Sequence, residues 1–276
     1  MKTLTNVYMS IALSEQVVCL VMTRGDFTRM RGNLNEIIEG CGPQRLSRVS
    51  TLTLQKQVAY EVQDLEMLST LGQGTFSKTK LVKAKDTGVY YALKVLGKES
   101  ILENNQKENM LNEFQVMKSM RELKHPNIVF MHCAMADDRY IYFLLDLLPG
   151  GEVTNILDRP VSNCEEWTRF YSASVILAYT EFYNHRILYR DLKPENMLLD
   201  ANGYCVLVDF GLSKVIDGPT YTFCGTPDYM APELIRGTGY SWAVDYWALG
   251  ILLVSFVLLC SFISCGIHSS NFLILF

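Results

Sequence analysis

Residues 189–200 read YRDLKPENMLLD. Asp191 and Lys193 stand two positions apart with opposite charge, and Asn196 follows five positions after the aspartate. Pro194 breaks any helix here, so the charged part reads as a loop. The apolar run Met197-Leu198-Leu199 behind it reads as a short buried strand. Charges on a loop are ordinarily solvated, so this stretch alone does not distinguish a water-facing turn from a chemical site.

The neighbouring stretches narrow the choice. Eighteen residues after Asp191 comes Val208-Asp209-Phe210-Gly211. Two acids and an amide on adjacent loops can hold a hard cation through oxygen ligands. Upstream, LGQGTFSKTKLV (71–82) places Gly72 and Gly74 at a strand turn, where backbone N–H groups can approach phosphate oxygens with no Cβ in the way. Taken alone that is equally a tight hairpin. Tyr91-Ala92-Leu93-Lys94 ends an apolar strand on a cation, which by itself suits a surface lysine. Glu113 lies mid-helix, where a solvated face is the default. In order along one chain, however, the set consists of a glycine loop, a strand lysine, a helix glutamate, YRDLKPEN, DFG and APE (231–233), with spacing that chance does not supply.

The whole chain sets looser bounds. Its 276 residues suffice for one large domain or two smaller ones, and 49% are apolar. A net charge of −4 points away from a broad nucleic-acid surface. Eight scattered cysteines without a C-x-x-C pair favour reduced thiols over a disulfide scaffold or a zinc site. MKTLTNVYMS carries no secretory-signal pattern. A strand is expected at 16–22, a helix at 26–39, a linker over 40–57, and strands from about Leu65 to Leu96, interrupted at Gly72-Gln73-Gly74. Further on, a helix is expected over 103–123, a buried strand over 140–147 and a second long helix over about 164–184. Strands first and helices later imply an α+β layout of two unequal lobes.

Over about residues 64–254 the sequence resembles a eukaryotic protein kinase, through LGQGTFS, YYALK, YRDLKPEN, DFG and TFCGTPDYMAPE. Tyr189 and TFCGTP look like the AGC group, and the resemblance is strongest to the cyclic GMP-dependent protein kinases. It implies a bilobal α+β kinase-like fold, with an antiparallel-sheet small lobe and a mostly helical, incomplete large lobe. It also implies a serine/threonine kinase that uses ATP and Mg2+. The backbone of Gly72 to Ser77, with Gly74 between them, would then cover the phosphates, and Leu71 would also contact the nucleotide. Lys94 would bind them and pair with Glu113, while Asp146 and Leu148 would meet adenine through their backbones. Glu152 would lie near the ribose and a basic substrate side chain. Asp191 would accept the substrate hydroxyl proton, with Lys193 near the γ-phosphate and Asn196 and Asp209 on magnesium. Thr222 would be a phosphosite paired with Arg190 and Lys214. Thr226, Glu233 and Asp245 would be structural supports. Glu195 and Glu152 would favour protein substrates with basic residues before the target Ser/Thr. No nucleic-acid partner is expected.

The pattern departs from the family in three places. Ser77 replaces the third glycine of the phosphate loop, from which altered loop mobility is expected. SIALSEQVVCLVMTRGDFTRM resembles only the last part of a cyclic-nucleotide-binding domain, so no cyclic GMP binding by this chain is expected. The expected division is 1–31 remnant of that domain, 32–63 linker, 64–147 small lobe, 148–254 large lobe and 255–276 an apolar tail. No Asp, Glu, Lys or Arg follows Asp245, and Tyr246 to Ile267 gives 22 uncharged residues. This tail reads as an unrelated or truncated ending, as a substitute core, or as a membrane insertion. The first half of the run matches a buried helix and has no flanking basic residues, which argues against insertion. The missing arginine partner of Glu233 would impair the large lobe. The location expected is cytoplasmic. The alternative reading is a non-catalytic nucleotide-binding or competing regulatory fragment.

Overall fold

Strand-forming residues dominate the first lobe and apolar helices the second. The computed structural model describes residues 6–13, 16–23, 60–74, 77–154 and 164–264. Strands β1 (Asn6–Leu13) and β2 (Gln16–Thr23) pair antiparallel with Leu13 opposite Gln16. Only the second of them was expected from sequence. The helix expected over 26–39 lies outside the described residues.

The small lobe is a five-stranded antiparallel sheet in the order β3-β4-β5-β7-β6. Its strands are β3 (Leu65–Gln73), β4 (Ser77–Ala84), β5 (Tyr90–Gly97), β6 (Met131–Ala136) and β7 (Tyr140–Asp146). β3 runs through Gly72 rather than stopping there, so the interruption comes later than the sequence suggested. Alternation along β5 sorts its side chains between two faces. Tyr91 and Leu93 join Tyr60, Leu65, Val82, Tyr142 and Leu144 in one apolar cluster. Leu96 faces the other way, toward the helix that covers the sheet. Lys94 is two residues from Leu96 and shares that inner face.

That helix is α2 (Lys107–Leu123), preceded by the short α1 (Lys98–Glu103). Sequence patterning suggested one helix from 103. The break falls at Asn104-Asn105, where Asn105 takes a left-handed φ of 54°, a conformation asparagine tolerates. On α2, Glu113, Val116, Met117 and Met120 are buried at three- and four-residue spacing. Glu113 therefore occupies the apolar stripe instead of the solvated face that is the default for a mid-helix glutamate.

The chain crosses between lobes over residues 147–150, from the end of β7 to β8 (Gly151–Glu152). β8 belongs to a three-stranded sheet with β10 (Met197–Leu199) and β11 (Cys205–Leu207). α3 (Cys164–Asn184) begins and ends as its periodicity predicts. It buries Tyr171, Val175, Ala178, Tyr179 and Phe182. β9 (Ile187–Leu188) pairs with β12 (Lys214–Val215). α4 (Pro232–Arg236) and α5 (Ala243–Ser264) follow. Through Val244, Ala248, Leu249, Leu252 and Phe256, α5 closes the lower core. Among the described residues no helix is long and apolar enough to cross a membrane.

Gly150 sits where the crossover touches β10. A Cβ there would lie 2.6 Å from the Leu199 Cβ and 2.9 Å from two main-chain oxygens. Gly150→Ala is therefore expected to destabilise the fold by about 1–3 kcal/mol, an overpacking effect. Thermal unfolding should show Tm lowered by about 2–4 °C per kcal/mol; an unchanged Tm would mean that the two chain segments separate freely.

Candidate active site

A buried lysine requires counter-charges, and Lys94 has two. Its Nζ lies 2.5 Å from Glu113 Oε1 and 2.9 Å from Asp209 Oδ1. Strand β5, helix α2 and the segment after β11 thus meet on one ammonium. Burial alone would lower the Lys94 pKa, but the two carboxylates outweigh it and hold the group above its ordinary value. Burial pushes Glu113 up, and Lys94 and the Phe210 backbone N–H draw it back in part. Asp209 is held below the usual carboxylate range chiefly by Lys94, against its own desolvation. It has a left-handed φ of 58° and remains about half exposed at its side chain. Gly211 N–H donates to the same Oδ1 at 3.2 Å, so Oδ2 is the oxygen Asp209 can offer to a cation.

The loop from Tyr189 to Asn196 forms the second half of the site. Asp191 is 8% exposed, and both its oxygens are engaged. Thr226 Oγ1 donates to Oδ1 at 2.7 Å. Asn196 Nδ2 donates to Oδ2 at 2.9 Å and to the Asp191 carbonyl at 2.8 Å. Lys193 Nζ lies 2.9 Å from Oδ2 and donates to Thr226 Oγ1 at 3.1 Å. With its amide nitrogen committed to Asp191, Asn196 has its side-chain oxygen available. Val208 N–H donates to the Asn196 carbonyl at 3.0 Å, which brings the next residue, Asp209, beside Asn196. One amide oxygen and one carboxylate suit a magnesium ion that takes its remaining ligands from phosphate and water.

Apolar packing and one buried acid fix this loop. Tyr189 is fully buried, its ring stacked on Phe182 (5.6 Å, 15°) and edge-on to Phe210 (5.8 Å, 72°). Its hydroxyl donates to the Val208 carbonyl at 2.5 Å. Asp245, in the first turn of α5, accepts the backbone N–H groups of Tyr189 (2.9 Å) and Arg190 (2.8 Å). These bonds hold Arg190 at a φ of 69°, a cost that persists only when the surroundings over-determine it. The Arg190 guanidinium donates to the Leu212 carbonyl at 2.6 Å and to the Tyr240 hydroxyl at 3.1 Å. Tyr240 in turn donates to the Thr222 carbonyl at 2.5 Å.

Most of the residues singled out in the sequence thus converge. Lys94, Glu113, Asp191, Lys193, Asn196, Asp209 and Thr226 form two linked clusters beside the crossover. Glu152, on β8, pairs in register with Leu198 of the same loop's strand. Leu71 is exposed on β3, and the Gly74 N–H donates to the Ser77 carbonyl at 2.8 Å. Residues 75 and 76, at the tip of that loop, lie outside the described residues. Thr222 is exposed near Arg190, whereas Lys214 reaches the Thr220 hydroxyl at 3.3 Å rather than Thr222. Tyr240 and Gly225 went unnoticed in the sequence. Gly225 has a φ of 121°, and a Cβ on it would lie 3.1 Å from the Arg190 carbonyl. Its place in TFCGTP was the only signal for it; Tyr240 has no local one.

Comparison with known proteins agrees with this geometry. The family model described as protein kinase domain matches residues 65–270. That range takes in much of the apolar stretch after Val254, which the sequence reading had set apart as a tail. A Caenorhabditis elegans protein named cAMP-dependent protein kinase, catalytic subunit-like, is 40% identical over 195 residues, 71% of this chain and 48% of that one. The human putative serine/threonine-protein kinase PRKY is 40% identical over 195 residues, 71% of this chain and 69% of its own. The Drosophila melanogaster cGMP-dependent protein kinase, isozyme 1, is 38% identical over 260 residues, 88% of this chain and 34% of that protein. The chain spans about half the length of the first relative and a third of the last.

Burial pushes the Asp245 carboxyl up to about 6, against the pull of the two N–H groups and Arg190. An unfolded aspartate titrates near 3.9. The folded state therefore binds this proton more tightly, and the associated stability is complete below about pH 4 and lost as pH rises through 6. About two pH units correspond to about 3 kcal/mol. Denaturant unfolding of wild type and Asp245→Asn from pH 4 to 7 should show the wild-type advantage shrinking with rising pH. A flat difference would show that Asp245 is not the titrating group.

Proposed function

Because the chain belongs to the protein kinase domain family, we propose that it transfers the γ-phosphoryl group of ATP to a serine or threonine hydroxyl as a kinase of the cyclic GMP-dependent type. The observation that carries this reading is the pair of linked clusters, one around Lys94 and the other around Asp191. Family membership implies ATP and magnesium as the cofactors. In phosphoryl transfer a new P–O bond forms to the substrate oxygen as the bond to the ADP oxygen breaks, and the hydroxyl proton must leave. Asp191 is the acceptor for that proton, its carboxylate oriented by Thr226, Asn196 and Lys193. Lys193 carries positive charge to the oxygens of the transferring group, and Lys94 carries it to the donor phosphates. The residues fit magnesium through the Asn196 side-chain oxygen and Asp209. The metal, when bound, supplies charge neutralisation on the phosphates. Asp146 and Leu148, at the crossover, would take the adenine through their backbones.

The subtype rests on aligned length. Two relatives named cGMP-dependent align over 88% of this chain and a third over 81%, whereas three named cAMP-dependent align over 70–71%. The additional length favours a tie to the former, and with it the reading of residues 1–31 as part of a cyclic-nucleotide-binding domain. The exposed Glu195 and the half-buried Glu152 support a preference for basic residues ahead of the target. Thr222 is exposed and lies where Arg190, through Tyr240, already reaches its backbone, which supports phosphate control at that position. Among the described residues Cys133 and Cys224 form no disulfide, which supports a cytoplasmic location.

One observation favours the second reading, a nucleotide-binding fragment without transfer. Among the described residues no cation lies within ion-pair distance of Glu233. Incubation of the purified chain with Mg-ATP and an arginine-rich peptide decides between the two. Phosphopeptide formation is expected, with kcat lowered about 10²–10⁴-fold by Asp191→Ala and transfer abolished by Lys94→Met. Transfer indifferent to both substitutions refutes the assigned roles, and nucleotide-dependent thermal stabilisation without transfer establishes the second reading. Thr222→Ala is expected to lower turnover of the phosphorylated protein, and Thr222→Glu to recover part of it. Identical rates for wild type and Thr222→Ala would remove that residue from control.

A further inference from the structure

Strand β6 is irregular at one place. Met131 is opposite Leu145 on β7 and Cys133 is opposite Leu144, so His132 is the extra residue of a bulge. A bulge bends its strand and redirects a side chain, and bulges are common beside active sites. Here it turns His132 toward the last residue of β7. The imidazole Nε2 lies 2.8 Å from Asp146 Oδ1, with the two side chains 14% and 23% exposed. The ring is held edge-on between Tyr91 (4.7 Å, 71°) and Phe130 (4.9 Å, 84°), which leaves it little freedom to turn away. The Phe130 carbonyl accepts the Asp146 backbone N–H at 3.0 Å. Asp146 is therefore fastened to both sides of the bulge, by its main chain on one side and its carboxylate on the other.

Asp146 is also the point where the chain leaves the small-lobe sheet for β8. An aspartate that ends a strand beside an inter-lobe crevice would otherwise be free to turn its carboxylate toward water or toward the bound base. Resting on the kinase reading, in which the backbone of Asp146 and Leu148 seats adenine, we infer that His132 is a positioning residue for the nucleotide. With its ring proton on Nε2 it donates to Asp146, holds that carboxylate against β6 and so sets the course of the crossover on which the base rests. The effect belongs to nucleotide binding rather than to the chemical step, because the clusters around Lys94 and Asp191 do not include the bulge.

The test compares His132 variants of the full chain by calorimetric Mg-ADP binding and by steady-state phosphorylation of the arginine-rich peptide. His132→Ala is expected to weaken Mg-ADP binding and raise KM for ATP about five- to tenfold, less than the full loss of a hydrogen bond to a charged group because the bond acts on the base only through the Asp146 backbone, with kcat changed less than about twofold. His132→Phe, which keeps a ring between Tyr91 and Phe130, should be as defective as alanine. His132→Gln, which restores an N–H donor, should bind nearly as wild type. Adding Asp146→Asn to His132→Ala should cost little more, since the two act as one unit. A His132→Ala protein that binds Mg-ADP as tightly as wild type overturns the inference. So does a phenylalanine variant that behaves as wild type, which would reduce the role to packing, or a fall in kcat at constant KM. A folded wild-type chain that binds no Mg-ADP would overturn the kinase reading and this inference with it, whereas normal wild-type binding with indifferent variants overturns the inference alone.

Discussion

The ammonium of Lys94 is the point on which the site depends. Two carboxylates from separately built parts of the chain meet on it, one from a helix packed on the small-lobe sheet and one from the segment after β11. Removing charges from water is costly, and a buried ion is tolerated only when partners and hydrogen bonds replace its hydration. Glu113 at 3% exposure could not remain ionised on the apolar stripe of α2 without Lys94. Conversely, Lys94 could not sit on the inner face of the sheet without the acids. The three groups together carry one net negative charge, which sets up a demand for further cation beside Asp209. A magnesium ion carried with the phosphates of a nucleotide would meet that demand from the open side.

Arg190 plays the corresponding part in the large lobe. Its N–H is bound by Asp245 from α5, and its side chain reaches the Leu212 carbonyl and Tyr240. One residue in a disfavoured backbone conformation thus joins the loop bearing Asp191, the segment following Asp209 and the segment bearing Thr222. Bound groups on all sides keep it there. The Phe182-Tyr189-Phe210 packing beneath is apolar, and it backs this loop with buried aromatic rings.

Much of this was legible because the site uses residue types that are expensive where they are found. A lysine ending YYALK, a proline inside a run of charges and a DFG eighteen residues on have no cheaper explanation when they occur in order. Helix α3 was readable because Tyr171, Val175, Ala178 and Phe182 repeat at helical spacing with no breaker between. The helix over 103–123 was misplaced at its start because Asn104-Asn105 reads as tolerable helix until Asn105 adopts a left-handed φ. Glu113 taken alone read as a solvated residue, since periodicity marks which face is apolar but not which polar residue on that face has a partner.

The order of residue types along the chain was enough to determine the two-lobed α+β architecture and the members of both clusters. Most of the long elements follow from local pattern, β1 and the break at Asn104-Asn105 excepted, and each buried charge needs an opposite charge. Which oxygens meet which nitrogens was decided only by the tertiary structure. Tyr240 between Arg190 and Thr222 and His132 on Asp146 join residues whose local sequence gives no sign of the partner, and Asp245 on the backbone at Tyr189 and Arg190 was expected from family resemblance alone. Hydrogen bonds are short and directional, so they depend on where a bulge, a strained φ or a helix start finally aims a side chain, and that is settled by packing of the whole fold.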